Sequence, residues 1–498
     1  MDLITGGFSS LLASSPGWQL AIVLIDYLIK FIAIGWVPEN RNPSASTAWL
    51  AVILLIPVLG LPLFLLLGSN SITGRRHRLQ SEANQLIRQR TEHLPDIPHH
   101  SQVSPGLLVS HRLVRQLTAM PALTSSYCGI STEYHQSVNR MIETIDAAQR
   151  TVHVQSYIFA LDDTTEPFIQ ALERAHNRGI SVKVLVDPIG SWKYPGYRRL
   201  KKRLNSSEIP WHPMLPVSLF QLRWRRLDLR NHRKMMIVDG EIVFMGSMNL
   251  IEPEYQQPKN HEIGRQWVDT WIELRGEVAL AFDAVFAVDW QSELYDAPKE
   301  QAVLTSSDLA AEEAGHEVVQ VLPSGPGFST EPNLRVFNDL IYQASERIIV
   351  CSPYFVPDES LLMAMTTAAY SGIDVELYVN EKSDQFMVGH AQRSYYTSLL
   401  ESGVKILQYP APMILHSKFM VIDNNVAVFG SSNLDMRSFG LNYEITLLTG
   451  ANPIVEQLTK IADQYREICI PLQLEQWSRR PVRQRYLDNV FRLTSALQ

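Results

Sequence analysis

His232-Arg233-Lys234-Met235-Met236-Ile237-Val238-Asp239 and His416-Ser417-Lys418-Phe419-Met420-Val421-Ile422-Asp423 share one pattern: a His, a Lys two residues on, and an Asp five beyond that. Each copy is followed at the same distance by a small-residue turn, Gly246-Ser247-Met248-Asn249 and Gly430-Ser431-Ser432-Asn433. One match of this kind arises readily by chance in a long chain. Two with identical spacing to a Gly-Ser-x-Asn element mark a duplicated unit.

In the first copy the apolar run Met235 to Val238 ends at Asp239-Gly240, a strong hairpin signal, and Ile242-Val243-Phe244 supplies the return strand. The second repeats this with Phe419 to Ile422, Asp423-Asn424-Asn425, and Val426 to Phe429. His and Lys stand at i and i+2, so at a strand start they project from one face. The Gly-Ser turn brings Asn249 or Asn433 toward the same region. An imidazole, an ammonium and a carboxamide that converge suit a phosphate diester. The His attacks or protonates, while Lys and Asn hold the non-bridging oxygens. A solvated His and Lys at a strand mouth is the plainer reading of one copy, but a poor account of two.

The duplication extends beyond the motifs. Val152 to Phe159 (VHVQSYIF) parallels Ile348 to Phe355 (IIVCSPYF), and each leads through a helix-like stretch to a Gly and an alternating strand, Arg178-Gly179-Ile180 and Ser371-Gly372-Ile373. Strand, helix, strand is a βαβ pattern in both halves. Upstream, Val138 to Ala148 and Leu334 to Ala344 carry apolar residues at helical intervals. The expected organisation is α/β, with one domain at 118–291 and another at 317–498. The acidic, Ala/Ser-rich stretch 292–316 reads as a linker or insert.

These strings resemble the phospholipase D superfamily, which is defined by two HxKxxxxD motifs, and within it the bacterial cardiolipin synthases. The closer likeness rests on RNPSASTAWLAVILLIPVLGLPLFLLLG at 41–68, YFVPDESLL at 354–362 and GSSNLDMRSFGLNYE at 430–444. It implies two phospholipase D-like α/β domains packed as a pseudo-two-fold pair around one active site. It also implies transfer of a phosphatidyl group between two phosphatidylglycerol molecules through a phosphatidyl-histidine intermediate. His232 is then the nucleophile and His416 the acid/base, although the symmetry of the motifs admits the reverse. Asp269, in WVDTW, and Glu444, in LNYE, match the family positions that orient the imidazoles. Lys234, Lys418, Asn249 and Asn433 are expected to stabilise the transition state.

Within the motifs, Asp239 and Asp423 lie past the strand and read as supports of the hairpin. Ser247 and Ser431 are candidate phosphate donors, with turn packing an equal explanation. Tyr157 and Tyr354 read equally as channel lining and as core aromatics. The scheme calls for no metal and no organic cofactor, since a Lys beside each His repels a cation.

The amino-terminal tail 1–17 precedes two apolar stretches, 18–37 and 48–67, each about 20 residues and long enough for a hydrocarbon core of about 30 Å. Asp26 and Lys30 stand at i,i+4 and neutralise each other on one helix face. Trp18, Trp36 and Trp49 fall at segment ends, as interfacial indoles do. Pro57, Gly60 and Pro62 are compatible with a membrane helix or with a kink. Only Arg41 lies between the segments, whereas Arg75, Arg76, Arg78, Arg88 and Arg90 follow in the linker 68–117. The positive-inside rule therefore expects a two-helix hairpin with both catalytic domains in the cytoplasm, and the resemblance implies that the membrane is the bacterial inner membrane. Three cysteines with no metal spacing and no even disulfide set agree with a reducing compartment.

A net charge of −7 does not advertise nucleic-acid binding. Basic clusters at 198–203 and 223–226, and Arg479, Arg480, Arg483, Arg485 and Arg492 near the carboxyl end, are expected to face an anionic membrane surface. Solvated helix faces are the alternative. Two other functions stay open at this level: a phospholipase D-type hydrolase using water as acceptor, and an inactive membrane scaffold. Intact motifs speak against the scaffold.

Overall fold

The computed structural model describes residues 17–39, 43–68, 75–98, 103–216, 228–294, 317–328, 330–493 and 495. The tail 1–16, Arg41, the basic cluster at 223–226 and most of the expected insert, 295–316, lie outside the described residues. The chain divides into two compact units.

The smaller unit holds the apolar amino-terminal segments. Gly17–Trp36 is one continuous helix. At about 1.5 Å per residue it reaches the thickness of a hydrocarbon core. Asp26 and Lys30 pair across one turn at 2.8 Å. The second stretch is not the single helix expected over 48–67. It runs as Pro43–Leu55 and Pro57–Leu63, then a π-helical turn, Phe64–Gly68. Pro57 lacks the N–H that would continue the helix, and Ile56 leaves helical geometry at φ −137° and ψ 71°. The two pieces pack at Gly60, where an added Cβ would stand 2.7 Å from the Ile53 Cα. Among the described residues, Gln19–Trp36 is the one helix long and apolar enough to cross a membrane.

The larger unit is organised by one mixed sheet of sixteen strands. Its midline is the antiparallel pair Ala122–Ser131 and Glu317–Ser324, with Ala122 opposite Gln320. From the midline the two wings repeat each other. The first-half wing runs Trp271–Arg275, Ile242–Gly246, Met235–Val238, Thr151–Ser156, Ser181–Val186 and Trp211–Pro213. The second-half wing runs Asn442–Thr449, Val426–Gly430, Phe419–Ile422, Arg347–Cys351, Asp374–Asn380 and Lys405–Tyr409. Each outer βαβ crossover gives a parallel pair, Thr151–Ser156 with Ser181–Val186 and Arg347–Cys351 with Asp374–Asn380. This is the α/β pseudo-two-fold pair expected from the sequence.

Helices Val278–Glu293 and Pro453–Ile468 contribute to a core that both halves share, with Phe282, Phe286, Leu458 and Ile461 buried beside strand residues of both wings. Val278–Glu293 is apolar on almost every side and is buried on almost every side. Two further cores lie one in each half. The stretch read as a linker, 68–117, is helical over Arg75–Thr91 and Pro105–Thr118. The second of these helices buries Leu107 and Val114 in the core of the second half. Its His111 Nδ1 lies 2.7 Å from Gln320 Oε1 on the midline strand.

Candidate active site

Both motifs turn tightly at their Asp. Asp239 and Gly240 have φ of 57° and 68°, and Asp423 and Asn424 have 50° and 54°. Two consecutive positive φ values define the turn that suits a right-handed hairpin, and Asp, Asn and Gly tolerate them best. The turn aims each Asp carboxylate at the start of the neighbouring strand. Asp239 accepts from the backbone N–H groups of Gln149, Arg150 and Thr151 at 2.9, 2.6 and 2.8 Å. Asp423 accepts from those of Ser345, Glu346 and Arg347 at 2.7, 2.8 and 2.8 Å. These bonds hold Asp423 below the usual carboxylate range, against the opposing effect of burial. Each Asp carboxylate thus caps a helix-to-strand turn.

At the other end of each hairpin, His and Lys lie in the extended segment just before the strand. That segment bonds to the opposite half. Arg230–Asn231 pairs in parallel with Asn442–Tyr443, and the His232 N–H donates to the Tyr443 carbonyl at 2.9 Å. Ile414–Leu415 pairs with Trp267–Val268, and the His416 N–H donates to the Val268 carbonyl at 2.8 Å. Each motif His is thereby carried beside the carboxylate that follows in the other half. His232 Nδ1 lies 2.9 and 3.0 Å from the two oxygens of Glu444. His416 Nδ1 lies 2.6 Å from Asp269 Oδ1. With Nδ1 occupied, Nε2 is the ring atom left for chemistry.

The Gly-Ser turns complete the dyads. A side chain at Gly246 or Gly430 would collide with the carbonyl oxygen of Thr270 or Ile445, so only Gly permits so close an approach. The approach lets Ser247 Oγ donate to Asp269 at 2.6 Å and Ser431 Oγ donate to Glu444 at 2.5 Å. The two hydroxyls, read above as phosphate donors or as turn packing, are thus committed to the carboxylates. Asn249 is held at both ends, accepting from the Ile158 N–H at 3.2 Å and donating to the Tyr255 hydroxyl at 2.8 Å. Asn433 is buried too, but its side-chain oxygen has no partner among the described residues.

Lys234 and Lys418 are fully buried, and their ammonium groups donate to the carbonyls of His232 at 2.8 Å and His416 at 2.5 Å. Burial lowers them to about 7 and about 8. Burial and the nearby lysines also lower both imidazoles, His416 to about 4 and His232 well below its ordinary value. The carboxylates differ. Asp269 is held low by His416 against its own burial, and it supports a charge on that ring. Glu444 is pushed up to about 7 by burial.

Both imidazoles face a cavity of about 490 Å³ with Asn249 on its wall. Tyr157 and Tyr354 line it, their rings edge-on to His232 and His416 at 4.9 and 6.5 Å between centroids. Lys193, Tyr194, Tyr255, Arg265, Trp267 and Asp384 line it as well. Sequence reasoning missed these because they come from segments distant along the chain, most of them loops. It also missed Arg233, between His232 and Lys234, whose Nε donates to the Glu444 carbonyl at 3.0 Å and whose guanidinium pairs with buried Asp289. Arg76, counted above among topology-setting charges, is half-buried over the Tyr443 ring at 4.7 Å and pairs with Glu293 at 2.5 Å.

A family profile described as "Cardiolipin synthase, PLD-like domain" matches residues 141–290 and 337–466, and another described as "Phospholipase_D-nuclease N-terminal" matches 20–69. The chain is 32% identical over 506 residues to a cardiolipin synthase of Geobacillus kaustophilus, covering 98% of this chain and 97% of the relative. It is 30% identical to cardiolipin synthase A of Edwardsiella ictaluri over 96% of this chain and 98% of the relative. Among solved structures, phosphatidylserine synthase of Haemophilus influenzae shares the fold at a TM-score of 0.56 and 16% identity, over 78% of this chain and 99% of that one.

Proposed function

The chain belongs to the cardiolipin synthase family of phospholipase D-like enzymes, and from that premise we propose that it condenses two phosphatidylglycerols into cardiolipin and glycerol. The observation that carries this reading is the crossed pair of imidazole–carboxylate dyads opening on one cavity. A double displacement at phosphorus needs one imidazole as nucleophile and a second as proton carrier, and each half supplies one.

In the first step the lone pair on His232 Nε2 attacks the phosphorus of the donor. A P–N bond forms, the P–O bond to glycerol breaks, and His416 delivers its Nε2 proton to the departing oxygen. In the second step a primary hydroxyl of another phosphatidylglycerol gives its proton to His416 and attacks phosphorus. The P–N bond breaks and cardiolipin is formed. Asp269, by favouring charge on His416, supports its use as the acid, and Glu444 fixes the tautomer of His232. Negative charge on the bound phosphate raises Lys234, Lys418 and His416 toward their protonated forms. The ammonium groups then oppose the charge that builds on the equatorial oxygens.

The apolar segments 18–37 and 48–67 are read as the membrane anchor of this enzyme, with 118–291 and 317–498 as its catalytic domains on the cytoplasmic side. Exposed Arg78 and Arg88 after the second segment agree with that orientation. The exposed basic residues of Pro195–Ser206 and Val482–Arg492 suit an anionic membrane surface.

The test is purified enzyme in vesicles of labelled phosphatidylglycerol with product analysis. Cardiolipin and free glycerol are expected in equal amounts. Phosphatidic acid as the sole lipid product would replace this reading with hydrolysis.

A further inference from the structure

Condensing two phosphatidylglycerols requires two phosphates to be held at once. One is the diester under attack between the imidazoles. The other belongs to the acceptor, which offers only its terminal hydroxyl to the reaction. We propose that Lys193 and Arg265 form the subsite for the acceptor's phosphodiester, a deepening of the function proposed above that rests on it.

Both residues line the cavity that holds His232 and His416. They arrive on unrelated loops, Lys193 after the strand Ser181–Val186 and Arg265 before Trp267–Val268. Among the described residues neither makes an ion pair within 4 Å, and Arg265 spends only its Nε on the Pro412 carbonyl, at 3.3 Å. Asp384, on the same wall, feels both cations and receives the Tyr354 hydroxyl at 3.0 Å. Two cations and one carboxylate leave a net charge of one, which matches a single phosphodiester. The motif lysines do not serve this second anion, because they are buried against the carbonyls of the histidines.

The placement also fits the proton's route. Tyr354, which holds Asp384, is edge-on to His416, and Arg265 lies in the segment that leads to Asp269, the carboxylate on His416. Arg265 thus belongs to the segment that supplies the carboxylate of the imidazole taking the acceptor's proton.

An exposed apolar side chain stands close in sequence to each of these cavity residues. Trp192, 67% exposed, precedes Lys193, Ile263 stands two before Arg265, and Phe386, also 67% exposed, stands two after Asp384. A polar residue turned into the cavity with an apolar neighbour outside is the arrangement a lipid-borne headgroup needs when its acyl chains stay in the bilayer.

The test compares two acceptors in the full-length enzyme with labelled phosphatidylglycerol as donor. The second phosphatidylglycerol carries a phosphate, whereas free glycerol does not, and its exchange into the donor still requires both histidines. The Lys193→Ala, Arg265→Ala double variant should lose about tenfold or more of its cardiolipin formation, because each charge-assisted contact is worth about that much. Its glycerol exchange should stay near that of the parent, and Lys193→Arg with Arg265→Lys should recover transfer. Equal loss of both reactions would overturn the subsite, as would no loss of either. If the parent enzyme exchanges glycerol but makes no cardiolipin, the proposed function fails and the subsite falls with it.

Discussion

His416 Nδ1 stands 2.6 Å from Asp269 Oδ1, although 147 residues separate them and they belong to different halves. Glu444 reaches back to His232 in the same way. Neither half contains a complete dyad, so the duplication yields one site rather than two. The short parallel pairings beside each His are what make the crossing rigid.

Asp269→Asn should lower kcat/KM by about 100-fold, in the range of a general acid–base contribution. Asp269 raises His416, so its neutralisation lowers that ring's pKa. The alkaline limb of the pH–rate profile, which reports loss of the His416 proton, should move to lower pH. A profile of unchanged shape would remove Asp269 from the proton-carrying dyad.

Asp239→Ala and Asp423→Ala should lower the thermal midpoint while kcat stays close to the parent's. Each substitution leaves three backbone N–H groups without their acceptor. Exposure of these turns limits the cost to about 1–3 kcal/mol. A selective fall in kcat at unchanged stability would place these residues in the chemistry after all.

Ser247→Ala and Ser431→Ala should each slow turnover about tenfold by freeing one carboxylate oxygen. The apparent KM for phosphatidylglycerol should change little, since neither hydroxyl reaches the cavity wall. A change confined to KM would return them to phosphate binding.

Much of this site was legible in the sequence. The spacing of His232, Lys234 and Asp239 to Ser247 and Asn249, repeated from His416, named the chemistry and the duplicated α/β plan. Asp269 and Glu444 came from family likeness, because no local pattern says that a carboxylate will cross to the other half. For Ser247 and Ser431 the sequence left phosphate donation and turn packing open, because it does not show that Asp269 and Glu444 fold back within hydrogen-bond reach of the two turns. Lys193, Arg265 and Asp384 sit in loops, where periodicity is silent. The second apolar stretch reads as one span by hydropathy, yet Pro57 breaks the helix that hydropathy assumes.

Burial holds His111 below its ordinary pKa, against the effect of Gln320. The unfolded chain takes up this proton below about pH 6.5, whereas the folded chain resists it. The stability His111 contributes is therefore full above that pH and is lost as pH falls toward the folded value. The thermal midpoint of the parent should drop between pH 7.5 and 5.5, and His111→Gln should reduce that drop. Identical pH dependence in both would separate His111 from acid sensitivity.

The most direct test of the crossed two-imidazole site is to trap the covalent intermediate. Enzyme mixed with phosphatidylglycerol labelled at phosphorus, quenched in base within one turnover and digested, should carry the label on the peptide containing His232. The His232→Ala variant should carry none. Label on His416 instead, or turnover with no labelled peptide, would contradict the account.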